Sequence, residues 1–131
     1  MKGKFTISVV LPAKPAAIYR AWLSTTEHSD MTGSPAQIEP RVGGRFSAWD
    51  GYISGRTLEL DPNRRIVQAW RTSEFSETDP DSKVVLKFQG AAKGTKVTLT
   101  HSEIPEGQAG SYKAGWEEWY FTPMRAYFGG S

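Results

Sequence analysis

The most informative absence in this sequence is that of cysteine. None of the 131 residues is a cysteine, which excludes disulfide bonds, thiolate nucleophiles and cysteine-ligated zinc. Histidine is scarce as well, since His28 and His101 are the only two, and their wide separation matches no metal-ligand spacing. The sequence also lacks a phosphate-binding loop, a dinucleotide fingerprint and a nucleophile elbow. It therefore predicts no metal site, no cofactor and no catalytic residues of these kinds.

Long hydrophobic runs and an excess of one charge are also missing. No apolar stretch approaches the ~20 residues that span a bilayer, and the N-terminus shows no signal-peptide pattern. The formal net charge is +2 and the basic residues are scattered, so neither nucleic acid nor a membrane is indicated as a partner. We expect a cytoplasmic protein. The length predicts a single domain covering residues 1–131, which is enough chain to bury a core.

Aromatic residues are what the chain has in quantity, and many of them lie near its end. Residues 111–131 predict one long amphipathic helix, because at roughly 100° per residue its aromatic side chains fall on one face. That face carries Tyr112, Trp116, Trp119, Tyr120, Pro123 and Tyr127. Pro123 also predicts a kink, since it removes a backbone N–H from the helix. The face predicts that this helix covers the core of the protein.

The rest of the chain reads mainly as strands. Apolar and polar residues alternate from Phe5 to Leu11, which predicts a half-buried strand. Two short helices follow, one beginning at Pro15 and the other capped by Ser24 and running to about Met31. About six further strands are then joined by short turns, which favours an antiparallel sheet. We predict an α+β fold in which a curved antiparallel sheet of about seven strands surrounds the C-terminal helix.

Several short motifs occur in a particular order along the chain. They are Arg41-Val42-Gly43-Gly44-Arg45-Phe46, Asp50-Gly51, Gly55, Glu59-Leu60-Asp61-Pro62, Trp70, Gly94-Thr95, Val97-Thr98-Leu99 and Gly115-Trp116. In this order they resemble the signature of the activator of ninety-kilodalton heat-shock-protein ATPase homologues. That family belongs to the START-like, or SRPBCC, superfamily, so the resemblance implies the helix-grip fold.

The last residues of the chain resemble one particular domain of that family. The run from Gly115 through Trp116-Glu117-Glu118-Trp119-Tyr120 to Phe121 is similar to the C-terminal domain of the eukaryotic co-chaperone. In that co-chaperone a separate N-terminal domain makes most of the productive contact with the chaperone. We expect residues 1–131 to correspond to the C-terminal domain alone. Met31 stands where many relatives carry a tryptophan.

Three hypotheses for function arise from the sequence and the resemblance. The first is a non-enzymatic START-like protein, stress- or chaperone-related, that binds a small hydrophobic ligand in an apolar cavity between sheet and C-terminal helix. The second is an interaction protein or co-chaperone that acts on the ninety-kilodalton heat-shock chaperone through its surface. The third is an aromatase- or cyclase-type enzyme, which would need ionisable groups that converge in the cavity.

The cavity candidates share inward-facing positions in the predicted sheet or helix. They are His101, Glu59, Trp49, Trp70, Trp116, Tyr120 and Phe88. His101, Glu59 and the tryptophans each have a structural alternative. His101 is either a core histidine, a ligand contact or an acid–base group. Glu59 either pairs with an arginine or is a cavity carboxylate. The tryptophans form either part of the core or an aromatic cage around a ligand. Gly115 is expected to permit close approach of helix to strand.

A second apolar stripe is predicted on the last two turns of the C-terminal helix. Phe121, Met124 and Phe128 lie away from the aromatic face on a regular helical wheel, so Phe121 is not expected in the main core with Trp116 and Tyr120. The stripe either packs under the first strand and the short helices, or forms an interface with a second copy or a partner. The oligomeric state, monomer or homodimer, depends on that choice.

Overall fold

The computed structural model describes residues 2–129, so Met1, Gly130 and Ser131 lie outside the described residues. The strands are β1 (Gly3–Leu11), β2 (Gln37–Ile38), β3 (Arg45–Ala48), β4 (Ile53–Asp61), β5 (Arg65–Thr72), β6 (Ser82–Ala91) and β7 (Gly94–Ile104). Two helices, α1 (Pro15–Leu23) and α2 (Thr25–Thr32), follow β1. The C-terminal helix consists of α3 (Ala109–Gly115), a π-helical turn (Trp116–Phe121) and α4 (Thr122–Gly129). It begins two residues before the predicted start, and the end of the prediction falls on undescribed residues.

The strands form one antiparallel sheet in the order β1-β7-β6-β5-β4-β3-β2. From β2 to β7 each strand pairs with the next one along the chain, as short turns require. β1 instead pairs with β7, which places the first and last strands side by side. The predicted architecture of about seven strands, two short helices after the first strand and a long C-terminal helix is confirmed.

The two short helices begin and end at the residues that the sequence marks. Pro15 occupies the first helical position of α1, where a missing N–H is harmless. The Ser24 hydroxyl accepts a hydrogen bond of 3.1 Å from the Glu27 N–H, which caps α2. Gly33 ends α2 in a left-handed conformation with φ 79°, a geometry that glycine adopts without steric cost.

The core lies between the helices and one face of the sheet. Alternate residues of β5, β6 and β7 point to this inner face: Ile66, Gln68, Trp70, Val84, Leu86, Phe88, Val97, Leu99 and His101. All are buried. Each fully buried large apolar side chain stabilises the fold by about 1.5–3 kcal/mol relative to its exposed state.

The π-helical turn changes which residues of the C-terminal helix face the core. The N–H of Thr122 bonds the carbonyl of Glu117, five residues earlier, which is the mark of a π turn. The extra residue rotates the following helix, so Phe121 and Met124 are buried while Trp119 is 53% exposed. The prediction that Phe121 stays out of the main core is therefore wrong.

Pro123 accounts for the position of this turn. A proline ring inside an α-helix clashes with the carbonyl four residues earlier and cannot donate to it. The wider π turn ends at Phe121, directly before the segment that contains Pro123, and π turns accommodate such interruptions. The irregularity predicted at Pro123 takes this form.

The second apolar stripe packs inward. Phe121 and Met124 belong to the buried core, and Phe128 is half-buried against it. The helix segment α4 contacts both α2 and β1, which is the structural alternative stated for the stripe. The prediction of an exposed interface is therefore wrong for Phe121 and Met124.

Within the described residues no helix combines the length and the apolar character needed to cross a membrane.

Candidate functional site

A pocket of about 420 Å³ lies between the sheet and the C-terminal helix. The sheet and its loops contribute Trp49, Tyr52, Ile53 and Trp70 to its lining. The helix contributes Ser111, Tyr112, Gly115, Trp116, Trp119 and Tyr120. Four of the seven sequence-predicted cavity residues, namely the tryptophans at 49, 70 and 116 and Tyr120, thus line one space.

Gly115 leaves room for this pocket. A Cβ atom placed on it would meet only Cδ1 of Trp119, at 3.8 Å, which is ordinary van der Waals contact. Gly115 therefore does not permit a close approach of helix to strand, and that expectation is wrong. Because it lines the pocket and has no side chain, its position keeps the space between helix and sheet open.

The turn between β3 and β4 brings Trp49 to one end of the pocket. Trp49 and Asp50 have φ values of 54° and 56°, in the left-handed region that a bulky side chain rarely adopts. The turn is closed by a 3.2 Å bond from the Tyr52 N–H to the Trp49 carbonyl. In this conformation the Trp49 ring meets Trp119 edge-on at 5.8 Å and Tyr120 at 6.2 Å.

The mouth of the pocket is open to solvent between the helix and this turn. Tyr52 is 39% exposed and Trp119 is 53% exposed, while Trp70, Trp116 and Tyr120 are buried deeper. The pocket thus runs from a solvent-facing aromatic rim to a buried aromatic floor.

His101 lies behind the pocket wall and does not line it. Its Nδ1 accepts a 3.1 Å bond from the Trp116 indole N–H. Its Nε2 is 2.8 Å from the Ser82 hydroxyl, which itself donates to the Trp70 carbonyl. Nε2 therefore carries the hydrogen, and the ring is neutral with both nitrogens engaged. Burial lowers the pKa of His101 to about 3.

This arrangement decides among the roles considered for His101. The residue is fully buried, so the expectation that it contacts a ligand is wrong, and the structural alternative holds. It orients the Trp116 ring by a direct hydrogen bond, and through Ser82 it is linked to the backbone carbonyl of Trp70.

His28 orients Tyr120 in the same way, through a buried hydrogen bond. Sequence reasoning missed this role of His28. Nδ1 of His28 is 2.9 Å from the Trp22 carbonyl, so it donates there, and Nε2 accepts from the Tyr120 hydroxyl at 2.9 Å. Burial lowers the pKa of His28 to about 4, and burial also raises the pKa of Tyr120. The three-residue spacing from Met31 on α2 places both residues on one helix face, but it does not indicate which partner His28 bonds.

Glu59 lies on the opposite face of the sheet. The pairing of β4 with β5 shifts between Thr57 and Glu59, so Leu58 is an extra residue that reverses the facing of the rest of the strand. Glu59 is exposed beside Arg65, with a 3.9 Å separation between Oε2 and the guanidinium Nε. The expectation of a cavity carboxylate is wrong, and the alternative of an arginine pair is correct.

Phe88 is also separated from the pocket. It is buried on the inner face of β6, but its ring meets Tyr19 of α1 edge-on at 6.0 Å and it does not appear in the pocket lining. Phe88 therefore belongs to the core beneath α1, and its assignment to the cavity is wrong.

Polar side chains form a network beside the mouth of the pocket. The Tyr112 hydroxyl donates to Oε1 of Gln108 at 2.6 Å and accepts from the Thr72 hydroxyl at 2.7 Å. Thr72 in turn accepts from the Glu74 N–H at 3.1 Å, and the Tyr52 hydroxyl donates to Oε2 of Glu74. Sequence reasoning missed this network, because its members are far apart along the chain.

The pocket does not bring together the ionisable groups that the sequence proposed for chemistry. The two ionisable groups proposed for chemistry, His101 and Glu59, lie on opposite faces of the sheet. Among the described residues, no group of three or more His, Asp or Glu side chains is placed to hold a metal ion.

Comparison with known protein families shows which family the chain belongs to. The family model described as "Activator of Hsp90 ATPase homolog 1-like protein" matches residues 12–129, which include every helix and all strands from β2 to β7. The chain belongs to this family. The activator family predicted from the motif order is confirmed.

Relatives of this activator-family chain agree in sequence and in fold. The human Activator of 90 kDa heat shock protein ATPase homolog 1 is 27% identical over 126 residues, covering 96% of this chain and 37% of the human protein. An HSP90 activator from Plasmodium falciparum has a TM-score of 0.87 and 27% identity, and 96% of each chain is covered. CalU16 from Micromonospora echinospora, at a TM-score of 0.79 and 23% identity over 95% of this chain and 73% of its own, shares the fold. The helix-grip fold is confirmed.

Proposed function

We propose that this activator-family protein is a non-enzymatic binding protein that holds a small apolar molecule in the pocket beneath its C-terminal helix. The observation that carries the proposal is the pocket itself, about 420 Å³ in volume and lined by aromatic side chains for seven of its ten residues. Pockets of roughly 300–1,000 Å³ with mainly apolar walls and few polar groups are typical of small-molecule sites.

The support given to the pocket walls strengthens this proposal. Trp116 is fixed by His101 and Tyr120 by His28, each through a buried hydrogen bond. Walls held in this way are pre-organised, so a ligand would not have to order them on binding. Both histidines are neutral and have both ring nitrogens engaged, so they are suited to positioning and not to proton transfer.

Native mass spectrometry of freshly purified protein tests the proposal. We expect a retained small molecule in the wild type and its loss in Gly115→Leu, because the new side chain occupies the pocket. Gly110→Leu is the matched control, since Gly110 lies on the same helix segment and a Cβ there meets nothing within 4 Å. Equal retention by all three proteins would contradict the proposal.

A second candidate function is contact with a ninety-kilodalton heat-shock chaperone. Relatives are named as activators of that chaperone, although this chain spans only 37% of the human relative. The structural observation in its favour is the outer face of the sheet. There Arg45 lies directly opposite Arg56, and Lys87 lies directly opposite Arg65, whose other neighbour on that face is Glu59.

Such pairs point to an acidic partner. Like charges directly opposite on one face destabilise a sheet, and an acidic surface laid on that face would relieve the repulsion. The proposed contact therefore uses the outer face of the sheet and leaves the pocket free.

Binding and ATPase assays with the purified chaperone test this second function. We expect the double variant Lys83→Glu, Lys87→Glu to weaken binding, because both side chains are exposed on the outer face of β6. The control is Lys113→Glu, which reverses an exposed charge on α3 instead. No binding by the wild type, or equal binding by all variants, would overturn it.

A further inference from the structure

The lining of the pocket has an electrostatic character as well as an apolar one. Seven of its ten residues are aromatic, and none of the ten carries a positive charge. The face of an aromatic ring is the negative part of its quadrupole, so several rings around one space attract cations. An anionic ligand would find no cationic side chain in that lining.

Three of the aromatic residues that would attract a cation lie at the solvent-facing end of the pocket. Trp49, Tyr52 and Trp119 form what we call the aromatic mouth, and two of them, Tyr52 and Trp119, are 39% and 53% exposed. At this position the backbone of Trp49 adopts a left-handed conformation with φ 54°. Backbone strain of this kind is concentrated at ligand clamps and functional sites.

A carboxylate stands beside the aromatic mouth. Glu74 accepts a hydrogen bond from the Tyr52 hydroxyl, and its backbone N–H is held by Thr72 at 3.1 Å. Burial raises the pKa of Tyr52 to about 12, with the bond to Glu74 adding to the effect. Burial likewise raises the pKa of Tyr112, and the Glu74 charge contributes there as well.

Arg71, the arginine nearest to Glu74 in the sequence, is turned away from the mouth. Arg71 alternates with the inward-facing Trp70 and Thr72, so it points to the outer face. Its guanidinium bonds Oδ1 of Asp81 at 2.8 Å and the Asp79 carbonyl at 3.1 Å. The Glu74 carboxylate is therefore not neutralised by this neighbour.

We propose that the aromatic mouth, together with Glu74, receives a positively charged amine or quaternary ammonium group. The apolar body of the same ligand lies deeper, between Trp70, Trp116 and Tyr120. This inference rests on the proposed binding function and adds the chemical class of the ligand. The rings supply cation–π attraction, and the carboxylate supplies the countercharge at the entrance.

A pair of probes of equal shape tests the inference. Phenyltrimethylammonium and its uncharged isostere tert-butylbenzene differ only in the atom that carries the three methyl groups. Titrated into the full chain at low salt, the charged probe is expected to bind about twofold to fivefold more tightly, as cation–π contacts at a solvent-facing site give. Glu74→Gln is expected to weaken the charged probe alone.

Control variants make each outcome decisive. Glu77→Gln removes an exposed carboxylate three residues away in the same loop and is expected to leave both probes unaffected. Equal or tighter binding of tert-butylbenzene would overturn the inference while the proposed apolar pocket stands. Binding of neither probe would overturn both. A Glu77→Gln effect equal to that of Glu74→Gln would also overturn it, because the charge effect would then not be local to the mouth.

Discussion

The indole N–H of Trp116 donates a 3.1 Å hydrogen bond to Nδ1 of His101, and this bond joins the C-terminal helix to the last strand of the sheet. It places a hydrogen on the opposite ring nitrogen of His101, which bonds Ser82. The other side of the Trp116 ring lines the pocket. One contact thus ties the stability of the fold to the shape of the site.

Trp116→Ala should therefore destabilise the protein strongly. Trp116 is 3% exposed, and removal of a buried tryptophan costs about 3–5 kcal/mol through lost burial and a residual cavity. Urea denaturation measures the change in the free energy of unfolding. Trp119→Ala is the control, because Trp119 is 53% exposed on the same helix and should cost far less. Equal effects of the two changes would contradict the π-shifted register.

The hydrogen bond itself can be separated from the burial of the ring. Trp116→Phe keeps an aromatic side chain but leaves Nδ1 of His101 without its donor, which should cost on the order of 1–3 kcal/mol. The companion variant Trp116→Phe, His101→Leu removes both partners and should recover part of that loss. If the double variant loses as much stability as Trp116→Phe and His101→Leu lose together when made singly, the bond contributes little.

The two buried histidines make stability depend on pH. Burial lowers the pKa of His101 to about 3 and that of His28 to about 4, against about 6.5 in an unfolded chain. As the pH falls, the unfolded state therefore binds protons before the folded state does. The stabilisation from the neutral rings is fully present above about pH 6.5, and the free energy of unfolding decreases as the pH drops below that value. Each histidine contributes a slope of up to about 1.4 kcal/mol per pH unit.

Urea denaturation between about pH 7.5 and pH 5 measures this slope, because ordinary carboxylates remain largely ionised in that range. His101→Gln lowers the overall stability but should reduce the slope, since the amide does not titrate. A wild-type stability that is flat over the same range would contradict the buried, neutral state of both rings.

Phe121→Glu should prevent stable folding. Phe121 is 3% exposed in the core, and a carboxylate buried there without a partner carries a large desolvation penalty. Trp119→Glu is the comparison and should remain soluble and folded, as circular dichroism and light scattering would show. A folded Phe121→Glu protein would indicate that the helix follows a regular α register instead.

Lys87→Glu should leave the fold intact and stabilise it slightly. Lys87 lies directly opposite Arg65, so reversing its charge replaces repulsion by attraction, an effect of about 0.2–1 kcal/mol. Thermal denaturation at low salt detects the gain, and added salt should reduce it. A loss of stability would mean that Lys87 makes a favourable contact in the folded protein.

Local patterns were sufficient to predict the architecture. The alternation from Phe5 to Leu11 and the cap at Ser24 are properties of neighbouring residues, and both appear in the structure. Short turns between successive strands define an antiparallel sheet without further information. The aromatic residues Trp70, Trp116 and Tyr120 were correctly assigned to one region because they share faces set by strand and helix periods.

The features that were missed break those periods or join distant segments. The π turn inserts one residue and exchanges Trp119 for Phe121 in the core, while the extra residue Leu58 turns Glu59 outward. The bond from Tyr120 to His28 spans 92 positions, and no local pattern specifies it. Periodicity predicts which residues share a face only until an inserted residue shifts the register.

If the space beneath the C-terminal helix is a ligand site, the indole N–H signals of the five tryptophans will respond to a molecule bound there. Four of these residues line the pocket, whereas Trp22 lies in the core with its N–H bonded to Gln68 at 3.2 Å. In a two-dimensional ¹H–¹⁵N spectrum titrated separately with phenyltrimethylammonium and tert-butylbenzene, we predict that the four pocket signals shift and that of Trp22 changes least. Failure of both probes to move the four signals, or an equal shift of all five, would show that neither probe binds in this space.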